Sequence, residues 1–263
     1  FGALSFQPVE VAKVTLVAYL AILYGRHAKT RLTWKRFGTG FVATGIYAGL
    51  VMRQPDFGSA LVLFGTWAIL SLFAGLPRKT WLFLPILILA GGLSLWTIGL
   101  KPYQQARIQT FLQPELDPRG IGYNAVQARI AIGSGGWLGK GIGEGSQARL
   151  RFLPESATDF MFAVIGEELG FIGISVVLLL FALLFYRLLR IAYDVEDDTA
   201  SLLLVGLGSM ILIHVTVNAG MNLGLLPITG IPMPFLSAAA SSIVMMFVSV
   251  GLAESVAVRR SHT

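Results

Sequence analysis

The chain has 263 residues, of which 55% are hydrophobic and 13% charged, with a net charge of +6 and no cysteine. A soluble domain of this size carries roughly 25% charged residues, so the composition excludes an ordinary soluble protein. It predicts an all-α polytopic membrane protein. The lack of cysteine excludes disulfide and thiolate–metal chemistry, and the three histidines are too scattered to predict a metal site.

Seven apolar segments are each long enough to cross about 30 Å of hydrocarbon, some with help from flanking residues. Their lengths and the lack of residue-by-residue alternation predict helices rather than barrel strands. We expect residues 1–263 to form a single membrane domain. Because the chain begins at Phe1 without a signal-peptide pattern, we also expect it to be a portion of a longer protein. The predicted spans are 9–25, 37–53, 58–75, 80–99, 160–187, 200–222 and 232–256.

Basic residues between the segments predict the orientation. If the segments alternate in direction, the most basic connections fall on one side, which is then cytoplasmic. The opposite side receives residues 101–158 as one large extracytoplasmic loop. That loop is itself basic, so its cations are either solvated or available to an anionic ligand such as phosphate. The basic connections are 26–36, 77–79, 187–190 and 258–260.

A glycine-rich run lies inside the loop, at IAIGSGGWLGKGIGEGSQ, residues 130–147. Successive glycines let backbone N–H groups converge on an anion. The run lacks P-loop spacing, and a mobile hairpin is the alternative interpretation. Its one lysine, Lys140, is a candidate ligand for a phosphate.

Three ionisable residues in the first half of the chain each have a structural interpretation and a substrate-site interpretation. Glu10 and Lys13 are three residues apart, so they share a helix face and can pair. They form either an interhelical ion pair or the wall of a polar cavity. Asp56 precedes a predicted helix at Phe57, where it either caps the helix or lines an outer site.

The stretch FLPESATDFMFAVIGEELGFIG, residues 152–173, carries four acids, of which Asp159, Glu167 and Glu168 are site candidates. Asp159 lies at the expected start of a helix, where a carboxylate is stabilised by the helix dipole. Capping is therefore one interpretation of it. Glu167 and Glu168 lie some 12 Å further along the helix. We expect one of them to be protonated or matched to a base such as Lys13.

The last segment with candidate residues is HVTVNAGMNLGLLPITGIPMPFLSAAASS, residues 214–242. Asn218 and Asn222 are one helical turn apart on one face, where they either join helices or line a cavity. The prolines at 227, 232 and 234 predict an irregular segment before the final span.

These motifs resemble the SEDS family in order and spacing, with the RodA type as the best match and FtsW as a close relative. The motifs are FQPVEVAK, QPDFGSALV, GYNAVQARIAIGSGGWLGKG, FLPESATDFMFAVIGEELGFIG and NAGMNLGLLPITGIPMPFLS. The resemblance implies ten spans, of which this chain would contain the fourth to the tenth. One departure lies at PFLSAAASS, where the family usually has PFLSYGGSS, so only Ser237 is taken from that motif.

The resemblance further implies a peptidoglycan glycosyltransferase that polymerises lipid II at the outer face of the bacterial cytoplasmic membrane during cell elongation. It implies a class B penicillin-binding protein as partner. We also expect membrane lipid as a partner and no nucleic acid. The family's essential acid corresponds to Asp159, our candidate general base for an inverting transfer. The substrate-binding or cavity candidates are Glu10, Lys13, Asp56, Lys140, Arg149, Glu167, Glu168, Asn218, Asn222 and Ser237.

The diphosphate leaving group needs charge stabilisation, which we expect from Lys140 and Arg149, or from a divalent cation such as Mg²⁺ or Mn²⁺ at the diphosphate. We expect no protein metal site and no covalently bound cofactor. Three alternatives stay open. The buried charges also suit a lipid II flippase or another transporter. A scaffold for the penicillin-binding partner is a second alternative, in which the buried charges are only structural. A division-type polymerase, which shares the same motifs, is the third.

Overall fold

The computed structural model describes residues 6–25, 32–54, 56–77, 102–113, 115, 117, 120–149, 152–153 and 156–260. All regular structure in these ranges is helical, which confirms the predicted all-α class for them. In chain order the helices are α1 (Pro8–Gly25), α2 (Trp34–Arg53), α3 (Phe57–Phe73), α4 (Pro102–Leu112), α5 (Ile121–Gly135), α6 (Ser146–Arg149), α7 (Met161–Asp194), α8 (Asp198–Asn222) and α9 (Ala240–Arg260).

Four of the described helices are long and apolar enough to cross a membrane. Helix α3 is apolar but has 17 residues, and α2 covers the predicted segment 37–53 without joining this group. The predicted segment 80–99 lies outside the described residues. The count of seven spans therefore stays a prediction, as does the single domain. The four helices are Pro8–Gly25, Met161–Asp194, Asp198–Asn222 and Ala240–Arg259.

Helix α7 presents apolar side chains on its surface. Val176, Leu179, Leu180 and Leu183 are each between 50% and 60% exposed. An apolar helix satisfies its own backbone hydrogen bonds and is stable with such a surface in hydrocarbon, not in water. The exposed leucines therefore identify α7 as a membrane helix.

The last predicted segment, 232–256, begins too early. Residues 223–239 contain no helix, and α9 begins at Ala240. Pro232 and Pro234 lack the N–H that a helix interior needs and restrict the residues before them. The irregular segment predicted around the prolines is confirmed.

The segment predicted as one large loop, 101–158, contains three helices in its described part: α4, α5 and α6. The extracytoplasmic position of the segment and its treatment as a loop both stay predictions.

The chain divides into two compact units, and the first comprises the described parts of Phe1–Gly99, Phe185–Ile213 and Ala240–Thr263. In it α1 packs against α2, α3 and α9. Leu16 and Leu20 of α1 and Leu70 of α3 are completely buried. The Tyr24 hydroxyl lies 3.3 Å from Ser71 Oγ, which satisfies two buried polar groups between α1 and α3. The apolar faces of these helices thus form the core of the first unit.

The second unit comprises the described parts of Leu100–Leu184 and His214–Ala239. Phe160 lies at the centre of its core, and Ile228 packs against that core from the irregular segment. Small residues on α5 let the start of α7 approach closely. Because Phe160 follows Asp159 directly, this core holds the chain in place beside the candidate acid. The core residues are Ala128, Ala131, Leu153, Phe160 and Ala163.

Candidate active site

Asp159 lies in the turn at residues 156–160 that leads into α7, and it is partly buried. Its backbone carbonyl accepts hydrogen bonds from Nδ2 of Asn218 at 3.0 Å and of Asn222 at 3.1 Å. Both asparagines are completely buried near the end of α8. They join α8 to the turn rather than to another helix, and their contact with substrate stays a prediction.

The two residues before Asp159 are held in the same way. Ser237 Oγ donates to the carbonyl of Thr158 and accepts a hydrogen bond of 2.7 Å from the N–H of Met233. The N–H of Ala238 donates to the carbonyl of Ala157 at 2.8 Å. Since this last contact is made by the main chain, the alanine that departs from the family pattern does not remove it.

Three successive carbonyl groups are therefore fixed by groups that come from residues 218–238. We call this arrangement the carbonyl clamp; it consists of Asn218, Asn222, Ser237 and the main chain of Ala238. Gly230 lies beside the acid that the clamp positions, because a Cβ at Gly230 would lie 3.5 Å from Asp159 Oδ2. The clamp restricts the backbone that carries the carboxylate, which is what a preorganised catalytic group requires.

Helix α7 is interrupted eleven residues beyond Asp159, at Gly170, whose φ is 66° and ψ −162°. This left-handed conformation favours glycine. The interruption releases the N–H groups of Phe171 and Ile172 from their usual acceptors. They donate instead to the carbonyls of Gly136 and Trp137, at 2.8 and 3.2 Å.

The carbonyls freed by the same interruption also find partners. Glu167 O accepts from the N–H of Lys140, and Glu168 O from the N–H of Gly141, both at 3.0 Å. Four hydrogen bonds thus join residues 136–141 to α7, which satisfies the backbone groups that a broken membrane helix leaves open. The N–H groups of Lys140 and Gly141 are thus used within the protein, and anion binding by the glycine-rich run stays a prediction for its other N–H groups.

The Glu167 side chain is completely buried and pairs with Lys140, whose Nζ lies 2.7 Å from Oε1. Ser146 Oγ donates to the same oxygen at 3.1 Å, and the N–H of Gln147 approaches both carboxylate oxygens. The base that pairs with Glu167 is therefore Lys140. The suggestion of Lys13 from the sequence is wrong for Glu167. Sequence reasoning missed this pair because the two residues are 27 positions apart.

The structure also bears on the roles predicted for Glu168, Lys140 and Arg149. Glu168 is partly exposed, and no ion pair to it is found within the described ranges. Lys140 is one-third exposed, and Glu167 compensates its charge, which weakens the prediction that it holds a diphosphate. The side chain of Arg149 lies outside the described residues, so its role stays a prediction.

The first unit holds the other three candidates. Lys13 Nζ lies 2.7 Å from Glu10 Oε1, and both side chains are almost completely buried, at 2% and 3% exposure. The predicted pairing is thus confirmed, and a role of the pair in a substrate cavity stays a prediction. Asp56 is the N-cap of α3 and accepts a 2.9 Å hydrogen bond from Ser59 N–H. Capping accounts for Asp56 without a substrate.

Across the described part of the chain, no three His, Asp or Glu side chains come together in a way that could hold a metal ion. A cation at a substrate diphosphate would take most of its ligands from the phosphates and water, so that expectation stays open. No step below depends on it.

Two positions that matter here were not predicted: Gly170 and Gly230. An isolated glycine in a helical pattern is a signal for a kink, and Gly170 in GEELGFIG fits it. For Gly230 the only signal in the sequence is its position between Pro227 and Pro232, which indicates an irregular segment but no contact with Asp159.

The described part of the chain is helical, exposes leucine along a long apolar helix and buries an ion pair within its core. These features identify an integral membrane protein. A family model described as "Cell cycle protein", which covers FtsW, RodA and SpoVE, matches residues 1–262. The chain belongs to this family.

Curated relatives support the assignment. Stage V sporulation protein E of Bacillus subtilis is 40% identical over 255 residues, which are 95% of this chain and 68% of the relative. A probable peptidoglycan glycosyltransferase FtsW of Trichlorobacter lovleyi is 37% identical over 254 residues, 94% of this chain and 65% of the relative. Peptidoglycan glycosyltransferase MrdB of Escherichia coli K12 is 35% identical over 259 residues, 98% and 70% of the two chains.

Solved structures share the fold. A chain from a structure titled "Structural coordination of polymerization and crosslinking by a peptidoglycan synthase complex" has a TM-score of 0.76 and 31% identity, and the match covers 99% of this chain and 72% of that one. The rod shape determining protein RodA of Thermus thermophilus has a TM-score of 0.66 and 28% identity, with 99% and 68% covered. This chain spans about two thirds of the length of the curated relatives. The names of the relatives support glycosyltransferase activity for it.

Proposed function

We propose that this protein polymerises lipid II into glycan strands at the outer face of the bacterial cytoplasmic membrane, with Asp159 as general base. The observation that carries the proposal is the carbonyl clamp, because it holds the backbone on either side of one partly buried acid, Asp159, in a membrane protein of this family. A positioned base of this kind contributes roughly 10²–10⁴-fold to a rate.

In the proposed reaction, the 4-hydroxyl of a GlcNAc unit attacks the anomeric carbon of a MurNAc diphosphate lipid. The new O–C bond forms as the bond from that carbon to the diphosphate oxygen breaks, and the diphosphate leaves with the electron pair. Asp159 takes the hydroxyl proton. The α-linked donor becomes a β-linked product, so the transfer inverts. Diphosphate leaves readily without protonation, so a single carboxylate suffices, in contrast to the acid–base pair of inverting glycosidases.

The proposed partner is a class B penicillin-binding protein, which crosslinks the strands. It is supported by the structural neighbour whose title joins polymerisation and crosslinking in one synthase complex. We further propose the elongation role rather than division, which rests on the motifs. Complementation of an elongation-defective strain, with failure in a division-defective strain, is the expected result. The reverse result would assign the protein to division.

The test of the reaction uses the full-length protein in detergent with lipid II, and glycan products separated by length. Asp159→Asn is expected to reduce polymer formation at least about 100-fold, and Asp159→Glu to retain part of it. Asp197→Asn is the matched control, because Asp197 is exposed and caps the start of α8 through the Thr199 N–H.

Polymer formation by a folded Asp159→Asn protein would rule out the general base. If the wild-type protein moves lipid II across vesicle membranes and never forms polymer, it is a transporter and the proposed activity is wrong.

A further inference from the structure

Two arginines of the second unit, Arg107 of α4 and Arg129 of α5, line a cavity. The cavity has no role in the reaction proposed above. The cavity has a volume of about 30 Å³ and is also lined by the end of α8 and the chain that follows it. One buried water needs roughly 10–15 Å³, so there is room for about two or three oxygen-sized groups. Arg129 is exposed, which gives a ligand access from the surface.

The two guanidinium groups are not neutralised within the part of the chain that the structure describes. The ion pairs found there are Lys13–Glu10 and Lys140–Glu167, and the lining of the cavity includes no acidic residue. A cavity with two uncompensated cations attracts an anion.

The arginines also retain hydrogen-bonding capacity. Arg107 Nε is buried and has no hydrogen-bond partner, and Arg107 Nη1 reaches the carbonyl of Ile228 only at a long 3.4 Å. Arg129 Nε makes a similarly long contact of 3.4 Å with the carbonyl of Ala125 in its own helix. A buried donor without an acceptor is destabilising, and oxygen atoms of a phosphoryl group would satisfy several such donors at once.

The cavity lies close to the candidate base. Ile228, whose carbonyl Arg107 contacts, is two residues from Gly230, which lies beside the Asp159 carboxylate. Two residues of chain span at most roughly 7 Å. A phosphoryl group in the cavity would therefore lie near the candidate base.

We propose that Arg107 and Arg129 bind a phosphoryl group and, resting on the proposed function, that this group belongs to the diphosphate of the lipid-linked sugar donor. The arginines take the role that sequence reasoning gave to Lys140, whose charge Glu167 compensates. They stabilise the negative charge that builds up on the diphosphate as it leaves.

The test measures binding by the full-length protein in detergent micelles. The probes are undecaprenyl diphosphate, neutral undecaprenol and inorganic pyrophosphate. Arg129→Gln removes an exposed cation and is expected to leave folding intact. Arg107→Lys keeps the positive charge and removes the planar guanidinium group, which can donate two parallel hydrogen bonds to a phosphate. The matched control is Arg190→Gln, which removes an exposed cation from a different helix, α7. Thermal unfolding is recorded for every variant.

We expect Arg129→Gln and Arg107→Lys each to weaken binding of undecaprenyl diphosphate by about tenfold or more, the loss of one charge-assisted hydrogen bond. Binding of undecaprenol and the behaviour of Arg190→Gln should not change. Pyrophosphate should compete with the lipid diphosphate in the wild-type protein.

Unchanged binding of undecaprenyl diphosphate in both folded variants would overturn the proposal. If only pyrophosphate binding depends on the arginines, the site takes free phosphate, and the assignment to the lipid donor is wrong. Arginine-dependent binding by a protein that never polymerises lipid II would support the site while the proposed function fails.

Discussion

Ser237 donates a hydrogen bond to the carbonyl of Thr158, although the two residues are 79 positions apart. The bond joins the irregular segment before α9 to the turn that carries Asp159. Ser237 also accepts from the N–H of Met233, so one hydroxyl satisfies two main-chain groups. Ser237 therefore acts on Asp159 as a positioning residue, through the backbone.

Ser237→Ala is expected to lower stability by about 1–3 kcal/mol, because it leaves a buried N–H and a carbonyl without partners. We also expect it to lower kcat of polymerisation by about tenfold or more with a smaller effect on KM, since small displacements of a catalytic group are costly. Thermal unfolding and lipid II kinetics measure the two effects.

Ser249→Ala is the matched control. Ser249 is buried to the same 1% exposure, but its hydroxyl donates within its own helix, to the carbonyl of Met245. Equal kinetic losses in the two variants would contradict a positioning role for Ser237.

Gly170→Ala should disrupt the junction between α7 and residues 136–141. A Cβ at Gly170 would lie 2.4 Å from the Gly139 nitrogen, and alanine is strained at a φ of 66°. Together these effects predict a loss of more than about 3 kcal/mol, or failure to fold. Gly133→Ala, on the neighbouring α5, meets nothing within 4 Å and should be neutral or stabilising by up to about 1 kcal/mol. Similar melting temperatures for the two variants would show that the junction contributes little.

Glu167→Gln is expected to destabilise the protein by about 1–3 kcal/mol, because it weakens the charge-assisted hydrogen bonds from Lys140, Ser146 and the Gln147 N–H to a buried carboxylate. The adjacent Glu168→Gln should change stability by less than about 1 kcal/mol, since no ion pair to Glu168 is found among the described residues. The double variant Glu167→Gln with Lys140→Met should recover part of the loss, and a thermal double-mutant cycle measures that coupling. A strictly additive cycle would argue against the ion pair.

Asp56→Ala is expected to cost about 1 kcal/mol through loss of the N-cap of α3, whereas Asp56→Ser should retain most of the stability because a hydroxyl also caps. If capping is the whole role of Asp56, Asp56→Ser polymerises lipid II at the wild-type rate. A well-folded Asp56→Ser protein with strongly reduced activity would instead place the carboxylate in the substrate site.

Local features of this protein followed from its sequence. The Glu10–Lys13 pair was predictable because residues three apart share a helix face, and the Asp56 cap because an acid before an apolar run satisfies the first N–H groups of the helix. The long apolar helices were predictable because an apolar segment that crosses a membrane must make its backbone hydrogen bonds within itself, which a helix does. The start of α9 was misplaced because apolar residues around Pro232 and Pro234 resemble a span, although proline cannot continue one.

The tertiary structure alone decided the contacts at Asp159 and Glu167. Asn218, Asn222 and Ser237 were candidates by resemblance, but nothing in their spacing indicated that they would bind main-chain carbonyls of residues 158 and 159. The match of Glu167 to Lys140 depends in turn on the interruption of α7 at Gly170. The amino-acid sequence by itself determined which segments are apolar and which neighbours can pair. Hydrogen bonds between distant segments formed where buried groups had no local partner, and only the folded chain shows which partners were within reach.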